Sequence, residues 1–184
     1  MPRYNNQNTQ SRATSPTSGN NNFYSYGNYY TWHAAIADTT YYDTNNSNVA
    51  NTSLCPSGWR LPQGGDRNRS ELNNFWDLIV DGLNNGINPA NYNSSTTPYY
   101  GSDEAGPVSE PIRSYPNNLL YSGNILDSSI RGRGGFGFYW SSSVVDYDSC
   151  YSLYFQSANV SPGTSESSKN LGSTVRCMFG YIPG

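Results

Sequence analysis

Charged side chains are scarce in this chain. Asp, Glu, Lys and Arg make up 12% of the 184 residues, the net charge is -3, and Lys169 is the only lysine. Because nucleic-acid binding depends on Lys and Arg side chains that neutralise several phosphates, this composition argues against a nucleic-acid partner. The surface has to be hydrated mainly by Asn, Ser, Thr and Tyr, which is typical of extracellular proteins.

Long apolar runs are also missing. No segment approaches the ~20 consecutive apolar residues that a membrane-spanning helix needs, so we expect no membrane span in this chain. The N-terminus lacks the basic and apolar regions of a signal peptide, and we expect any export signal to lie outside this sequence. Only 35% of the residues are hydrophobic while 17 are tyrosines, which predicts one domain with a small core rich in aromatic rings.

Histidine and cysteine are too few for most catalytic or metal sites. His33 is the only histidine, so a Ser-His or Cys-His device would have to use it. It lies in a short apolar segment, residues 32–37, that predicts a short helix, and this favours a structural role for the imidazole. No group of His and Cys residues has zinc-binding spacing. We therefore predict no catalytic residue and no cofactor.

The first 22 residues differ in composition from the rest. They are mostly Asn, Gln, Ser, Thr and Pro, and they offer too little apolar surface to offset the entropy of ordering. We expect residues 1–22 to form an arm that is flexible, or ordered only against a partner such as another copy of the chain. Residues 23–184 then form the domain, with a first strand within residues 23–32.

One segment has clear helical periodicity. Six apolar side chains fall on one stripe of a helix over residues 68–83, with Asp66 or Asn68 as candidate N-caps. They are Leu72, Phe75, Trp76, Ile79, Val80 and Leu83. The opposite face carries polar side chains, namely Asn73, Asn74, Asp77 and Asp81. The stripe predicts a helix that packs on a sheet.

Late in the chain the pattern changes to that of strands. Residues 138–143, 151–157 and 174–179 are predicted strands, and a short piece at 158–161 is expected to pair with the second of them. In the middle strand Tyr151, Leu153 and Phe155 alternate with polar residues, as in a half-buried strand. Residues 84–135 are rich in Pro, Gly, Asn, Ser and Tyr, and we expect a long irregular excursion there.

Three sequence signatures occur in a fixed order. They are Cys55-Pro-Ser-Gly-Trp-Arg-Leu-Pro62, Gly137-Phe-Tyr-Trp-Ser-Ser142 and Ser173-Thr-Val-Arg-Cys177. In this order they resemble the Fibrobacter succinogenes major paralogous domain family, a bacterial branch of the C-type-lectin-like fold. The resemblance implies an α+β fold with a small twisted antiparallel sheet, a packed helix and a long irregular loop excursion.

The resemblance also carries expectations for individual residues. It implies a disulfide between Cys55 and Cys177, with two reduced buried thiols as the alternative, and it leaves Cys150 in a turn expected to be exposed. Large rings beside Gly and Ser favour core positions for Trp59 and Trp140 over ligand platforms. For the signature arginines, Arg60 and Arg176, we expect buried or half-buried structural roles, such as hydrogen bonds to loop carbonyls or to Glu71.

Two other features of lectin-like proteins bear on calcium and catalysis. Loop carboxylates offer oxygens for calcium at Asp103, Glu104, Glu110, Asp146 and Asp148, but the Glu-Pro-Asn and Trp-Asn-Asp patterns of calcium-dependent lectins are absent, and we predict no metal. The Gly-Trp-Arg-Leu-Pro segment is also similar to formylglycine-generating oxidases. Those enzymes need a cysteine pair at copper, and the late cysteines here lie outside that family's motif.

The function implied is recognition. The resemblance and the composition favour a non-enzymatic extracellular module of a bacterial cell surface that binds a cell-surface protein or glycan; the alternative is a structural subunit of a surface filament assembled through the N-terminal arm. Residues 139–170 are also compatible with the diversified region of retroelement variable proteins, or with an ordinary surface rich in Asn, Ser and Tyr. Tyrosine supplies rigid aromatic contact at low entropic cost. The predicted ligand-binding residues are Tyr99, Tyr100, Tyr115, Tyr147, Asp148 and Tyr151.

Overall fold

The computed structural model has mostly β structure, built from small antiparallel sheets with only short helices. It describes the following parts of the chain: residues 3–4, 28–38, 49–65, 72–82, 110–113, 117–156 and 159–180. Within these parts, no helix is both long and apolar enough to cross a membrane.

The largest sheet has three strands that follow one another in the chain. These are β6, Phe136–Val144, β7, Ser149–Gln156, and β8, Asn159–Ser168, in the order β6-β7-β8. The strand predicted at 138–143 is confirmed. The strand predicted at 151–157 is confirmed as far as residue 156, since residue 157 lies outside the described part. The short piece predicted at 158–161 is instead a ten-residue strand. Its many Ser residues, with Thr and Gly, give it no apolar alternation, yet it pairs with β7 along most of its length.

Two buried clusters cover the two faces of this sheet. On one face Tyr139, Leu153 and Phe155 pack with the helical segment around Phe75 and Trp76. On the other face a second cluster is centred on fully buried tryptophan rings. It consists of Trp32, Ala35, Ile36, Ala50, Leu61, Trp140, Val144 and Cys150. The alternation along β6 and β7 therefore sends successive side chains into two different cores, both rich in aromatic rings.

The predicted helix is shorter than expected in the described residues. It consists of α2, Asn74–Trp76, which runs into a π-helical turn, Asp77–Gly82. Asn73 caps it: the amide oxygen accepts from the backbone N–H of Trp76 at 2.9 Å. The predicted caps lie in residues 66–71, outside the described part. The sequence predicts Leu72 on the apolar stripe, and this is wrong, because Leu72 precedes the cap and is 66% exposed.

The polar face predicted for this helix also needs correction at Asn73, which is fully buried. Its amide nitrogen donates to the carbonyl oxygens of Gly65 and Pro162 at 2.9 and 2.8 Å. One amide side chain thus joins the helix start, the loop before it and strand β8. The rest of the predicted stripe is confirmed where side chains are described, since Phe75, Trp76 and Ile79 are buried; the side chains of Val80 and Leu83 are outside that part.

The predicted disulfide between Cys55 and Cys177 is confirmed. It lies beside a two-stranded antiparallel ribbon formed by β3, Trp59–Arg60, and β9, Met178–Phe179. Strand β9 is all that forms of the strand predicted at 174–179. The third cysteine, Cys150, was expected in an exposed turn, and this is wrong. It lies in β7 and is fully buried within the second cluster, which also contains Trp140. Burial raises the pKa of its thiol well above the ordinary value.

The tryptophans and arginines of the sequence signatures differ in burial. Trp140 is fully buried as predicted, and its indole N–H donates to the Tyr30 carbonyl at 2.7 Å. Trp59 was expected in the core, and this is wrong, because it lies on the two-stranded ribbon and is 46% exposed. Arg60 has the expected structural role, donating to the Leu61 carbonyl at 3.1 Å and to the Asn74 side chain at 2.8 Å. Arg176, expected to be buried or half-buried, is exposed.

The excursion predicted at 84–135 contains regular structure. Its described parts hold α3, Glu110–Arg113, and an antiparallel hairpin of β4, Asn124–Leu126, and β5, Ser129–Arg131. The hairpin turn has two residues with positive φ, Asp127 and Ser128. It lacks the glycine that usually identifies such a short turn in a sequence. Hydrogen bonds between Ile125 and Gly172 fix this hairpin to the late part of the chain.

The N-terminal region forms a small sheet of its own. Strand β1, Arg3–Tyr4, pairs antiparallel with β2, Tyr29–Tyr30, of the same chain. The short helix expected at 32–37 is confirmed as α1, Trp32–Ala35, capped by the hydroxyl of Thr31. The predicted strand within 23–32 is described only at β2, and residues 5–27 lie outside the described part.

Candidate functional site

The predicted ligand-binding residues that the structure describes differ in exposure. Tyr147 is 62% exposed and its neighbour Asp148 is also exposed, both between β6 and β7. Tyr151 is buried in β7, at 7% exposure, and so offers little surface to a partner. The other three residues, Tyr99, Tyr100 and Tyr115, lie outside the described part of the chain.

Because successive side chains of a strand point to opposite faces, Tyr151 and Tyr154 lie on opposite faces of β7. Tyr151 points into the domain, while Tyr154 is half-buried. The Tyr154 ring lies against two rings of β6, at centroid distances of 4.9 Å from Phe138 and 6.0 Å from Phe136. It is therefore part of an aromatic row on the sheet rather than an isolated exposed ring.

The Tyr147 turn is defined here as residues 145–149, which are the connection between β6 and β7 and the first residue of β7. The carboxylate of Asp146 folds over it, because Oδ1 accepts from the backbone N–H groups of Asp148 at 2.9 Å and Ser149 at 2.7 Å. The N–H groups of Val145 and Asp146 both donate to the Ser149 carbonyl, at 3.1 and 3.2 Å. Asp commonly fixes tight turns in this way, through its own following backbone.

A buried cation lies under the Tyr147 turn. Lys169, just after β8, is 3% exposed, and its ammonium donates to the carbonyl oxygens of Asp146 at 2.6 Å and Tyr147 at 2.9 Å. The same nitrogen is 5.0 Å from the centre of the Trp32 ring. The Lys169 backbone N–H donates to the Asp148 carbonyl at 2.8 Å, and its carbonyl accepts from the Trp32 N–H at 3.0 Å.

The charge of Lys169 also acts on His33. The imidazole is half-buried, and its ring lies edge-on to Trp32 at 5.5 Å between centroids. Burial lowers the pKa of His33, the nearby Lys169 ammonium lowers it further, and Asp38 opposes both. His33 is therefore mainly neutral at pH 7, and its ring contact with Trp32 is a structural one.

The acidic candidates for calcium do not gather into a metal site in the described residues. No group of three or more His, Cys, Asp or Glu side chains lies close enough there to hold a metal ion. One oxygen of Asp146 is already engaged by two backbone N–H groups. Asp103 and Glu104 lie outside the described part of the chain.

A second exposed aromatic surface was not found by sequence reasoning. Trp59 and Phe179 face each other across the β3–β9 ribbon, with ring centroids 5.7 Å apart and planes at 77°. Phe179 is 75% exposed, more than any other large hydrophobic residue described. No sequence pattern predicts that this pair is exposed. The exposure arises because the ribbon has only two residues per strand, and that pairing is not visible in the sequence.

The described chain thus offers one fixed turn with an exposed tyrosine and one exposed Trp–Phe pair. No family model, no curated protein and no solved structure matches this chain.

Proposed function

We propose that this chain is a C-type-lectin-like module of a bacterial cell surface that recognises a protein or glycan partner without catalysis. The Tyr147 turn carries the proposal, because it combines a 62% exposed tyrosine with a hydrogen-bonded backbone. The three ordered signatures support the lectin-like part of the proposal, as does the disulfide that joins the first signature to the last.

Tyr147 suits a recognition role for energetic reasons. A tyrosine has a large rigid ring and a hydroxyl that both donates and accepts, and ordering it costs little entropy. Because hydrogen bonds already fix the backbone of its turn, binding would not have to order the loop as well. An aromatic contact of this kind contributes about 1 kcal/mol, so we expect weak binding that becomes useful when many copies act together.

The disulfide supports an extracellular location. Disulfides persist in oxidising compartments such as the cell exterior and the periplasm, and are rare in the cytosol. The bridge in this chain joins segments 122 residues apart, so it constrains most of the domain. Together with the scarcity of charge, this favours a module exposed outside the cell.

The experiment is an attachment assay with matched variants. Beads carrying many copies of the chain are tested on immobilised glycans and on intact bacterial cells, and the tightest interaction is then measured for Tyr147→Ser. Phe179→Ser is the control, because it removes a comparably exposed ring elsewhere. We expect only Tyr147→Ser to weaken attachment, with both melting temperatures close to wild type, since exposed substitutions usually change stability by less than about 0.5 kcal/mol. Attachment that survives Tyr147→Ser contradicts the proposal.

A structural subunit of a filament is the second candidate, and one observation favours it. Strand β1 adds to the edge of β2 in antiparallel register, Arg3 opposite Tyr30 and Tyr4 opposite Tyr29. A strand from another copy could occupy the same edge, since strand exchange replaces each contact by an identical one. Light scattering and electron microscopy test this: a regular polymer that disappears when residues 1–22 are deleted would favour the filament, whereas a monomer at all concentrations would exclude it.

The positions of the cysteines argue against the oxidase alternative. It needs two thiols at one copper site, whereas Cys177 is bonded to Cys55 and Cys150 is buried in the cluster that contains Trp32 and Trp140. The proposed activity is therefore binding alone.

A further inference from the structure

The position of Lys169 is unusual for its residue type. Lysine is almost never fully buried unless it is paired, because removing an ammonium from water is costly. This lysine is the only one in the chain, and it is 3% exposed. Its burial therefore needs specific contacts that offset the lost hydration.

Those contacts converge on one feature, the Tyr147 turn. Three successive carbonyl groups of the turn accept hydrogen bonds from Lys169: two from the ammonium, at Asp146 and Tyr147, and one from the backbone N–H, at Asp148. Hydrogen bonds from a charged donor are roughly twice as strong as neutral ones. A single residue thus binds three consecutive carbonyl groups of the turn.

Lys169 is itself fixed to the core. Its carbonyl accepts from the Trp32 N–H, and the Trp32 ring lies 5.0 Å from its ammonium. Trp32 is fully buried, and its indole N–H donates to the Ser141 carbonyl at 2.9 Å. The turn is therefore connected through Lys169 to the tryptophan cluster behind the sheet.

We propose that Lys169 is a positioning residue of the recognition surface: it holds the backbone on both sides of Tyr147 and so sets the direction in which the exposed ring points. This inference rests on the proposed function, because positioning matters only if the Tyr147 turn binds a partner. Lys169 does not contact the partner itself, since its side chain lies beneath the turn.

The chemistry of the side chain explains why lysine suits this place. An ammonium presents three donors from one compact point and can serve two adjacent carbonyls and an aromatic face together. Methionine has a similar unbranched stem but no donor, so Lys169→Met removes the hydrogen bonds while keeping much of the apolar volume. Ile79→Ala provides the control, because it truncates a fully buried side chain in the cluster on the other face of the sheet.

The first readout needs no ligand. In wild type we expect slow exchange of the backbone amides of Asp148 and Ser149, because their N–H groups are hydrogen-bonded within the turn. We also expect the Lys169 amine to react with sulfo-NHS-acetate only after unfolding. Lys169→Met should speed exchange of these amides by at least about tenfold, the equivalent of one hydrogen bond to a charged group. Ile79→Ala should leave them unchanged relative to the rest of the sheet.

The second readout is attachment of the chain to the probe found with the bead assay, measured below the melting temperature of every variant. We expect Lys169→Met to weaken attachment about as much as Tyr147→Ser, and Ile79→Ala to leave it unchanged. If Lys169→Met preserves both attachment and amide protection, the positioning role is overturned, while loss of attachment in Tyr147→Ser would still uphold recognition by the turn.

The two proposals fail separately. Attachment that survives Tyr147→Ser removes the recognition role, whatever the amide exchange shows. If Lys169→Met does not fold, the wild-type measurements decide: turn amides that exchange as fast as in an unstructured peptide, or a Lys169 amine that reacts fully in the native protein, would overturn the positioning role.

Discussion

Removing the Cys55–Cys177 disulfide should be among the most destabilising changes in this chain. The bridge closes a loop of 122 residues, and the chain-entropy estimate for such a loop is about 5 kcal/mol at 25 °C. The ribbon beside it has only two residues per strand and cannot compensate for the lost constraint. Replacing both cysteines by alanine should lower the melting temperature by about 10 to 20 °C for a domain of this size.

Thermal unfolding followed by circular dichroism measures this effect, and wild type in reductant serves as the matched control because it loses the same constraint. Iodoacetamide labelling with intact mass checks the pairing. The native protein should take up no label, the unfolded protein one label at buried Cys150, and the reduced unfolded protein three labels. A fall in melting temperature below about 3 °C, or more than one label without reduction, would refute the reasoning.

Two further predictions concern single buried or half-buried side chains. Asn73→Ala removes the cap of α2 and leaves two buried carbonyl groups without their donor. The free energy of unfolding, measured in urea, should therefore fall by about 2 to 4 kcal/mol. A loss below about 1 kcal/mol would contradict this. For His33, an NMR titration should give a pKa below the ordinary 6.5, with a higher pKa in Lys169→Met, because burial and the Lys169 charge both lower it. Since the unfolded chain then binds the proton more readily, stability should fall as the pH drops below 6.5; a measured pKa at or above 6.5 would be inconsistent with the structure.

Local patterns predicted the parts of the fold that follow them. Alternation in β7 found its buried face at Leu153 and Phe155, and the apolar stripe found three buried helix residues. The helix start was missed because Asn73 reads as an ordinary polar position, whereas its side chain caps the helix and also binds strand β8. That second contact joins segments 89 residues apart, so no local pattern contains it.

Strand β8 was underestimated for a related reason. It is held to β7 by backbone pairing and by serine side chains, such as Ser152 and Ser167, whose hydroxyls are 2.8 Å apart. A strand stabilised in this way lacks the apolar alternation that identifies strands in a sequence. Local patterns also failed to predict the exposure of Trp59, because that exposure arises from the shortness of the β3–β9 ribbon, which has two residues per strand.

The candidate site was only partly visible in the sequence. Tyr and Asp between two predicted strands indicated an exposed turn, and Tyr147 and Asp148 are exposed there. Alternation places Tyr151 on the same face as Leu153 and Phe155, so its buried position, which leaves little surface for a partner, follows from the pattern itself. The contact of Lys169 with the turn instead depends on the pairing of β7 with β8, so it became apparent only in three dimensions.

The most direct test of the account is the attachment of three matched variants, Tyr147→Ser, Tyr147→Phe and Phe179→Ser, to the same probe at equal bead density. Loss of the Tyr147 ring should weaken single-site binding by about fivefold or more, equivalent to about 1 kcal/mol, with a larger effect on beads. Tyr147→Phe should retain more binding than Tyr147→Ser, and Phe179→Ser should bind as wild type does. Full attachment by Tyr147→Ser together with loss in Phe179→Ser would place recognition on the β3–β9 ribbon and contradict the account.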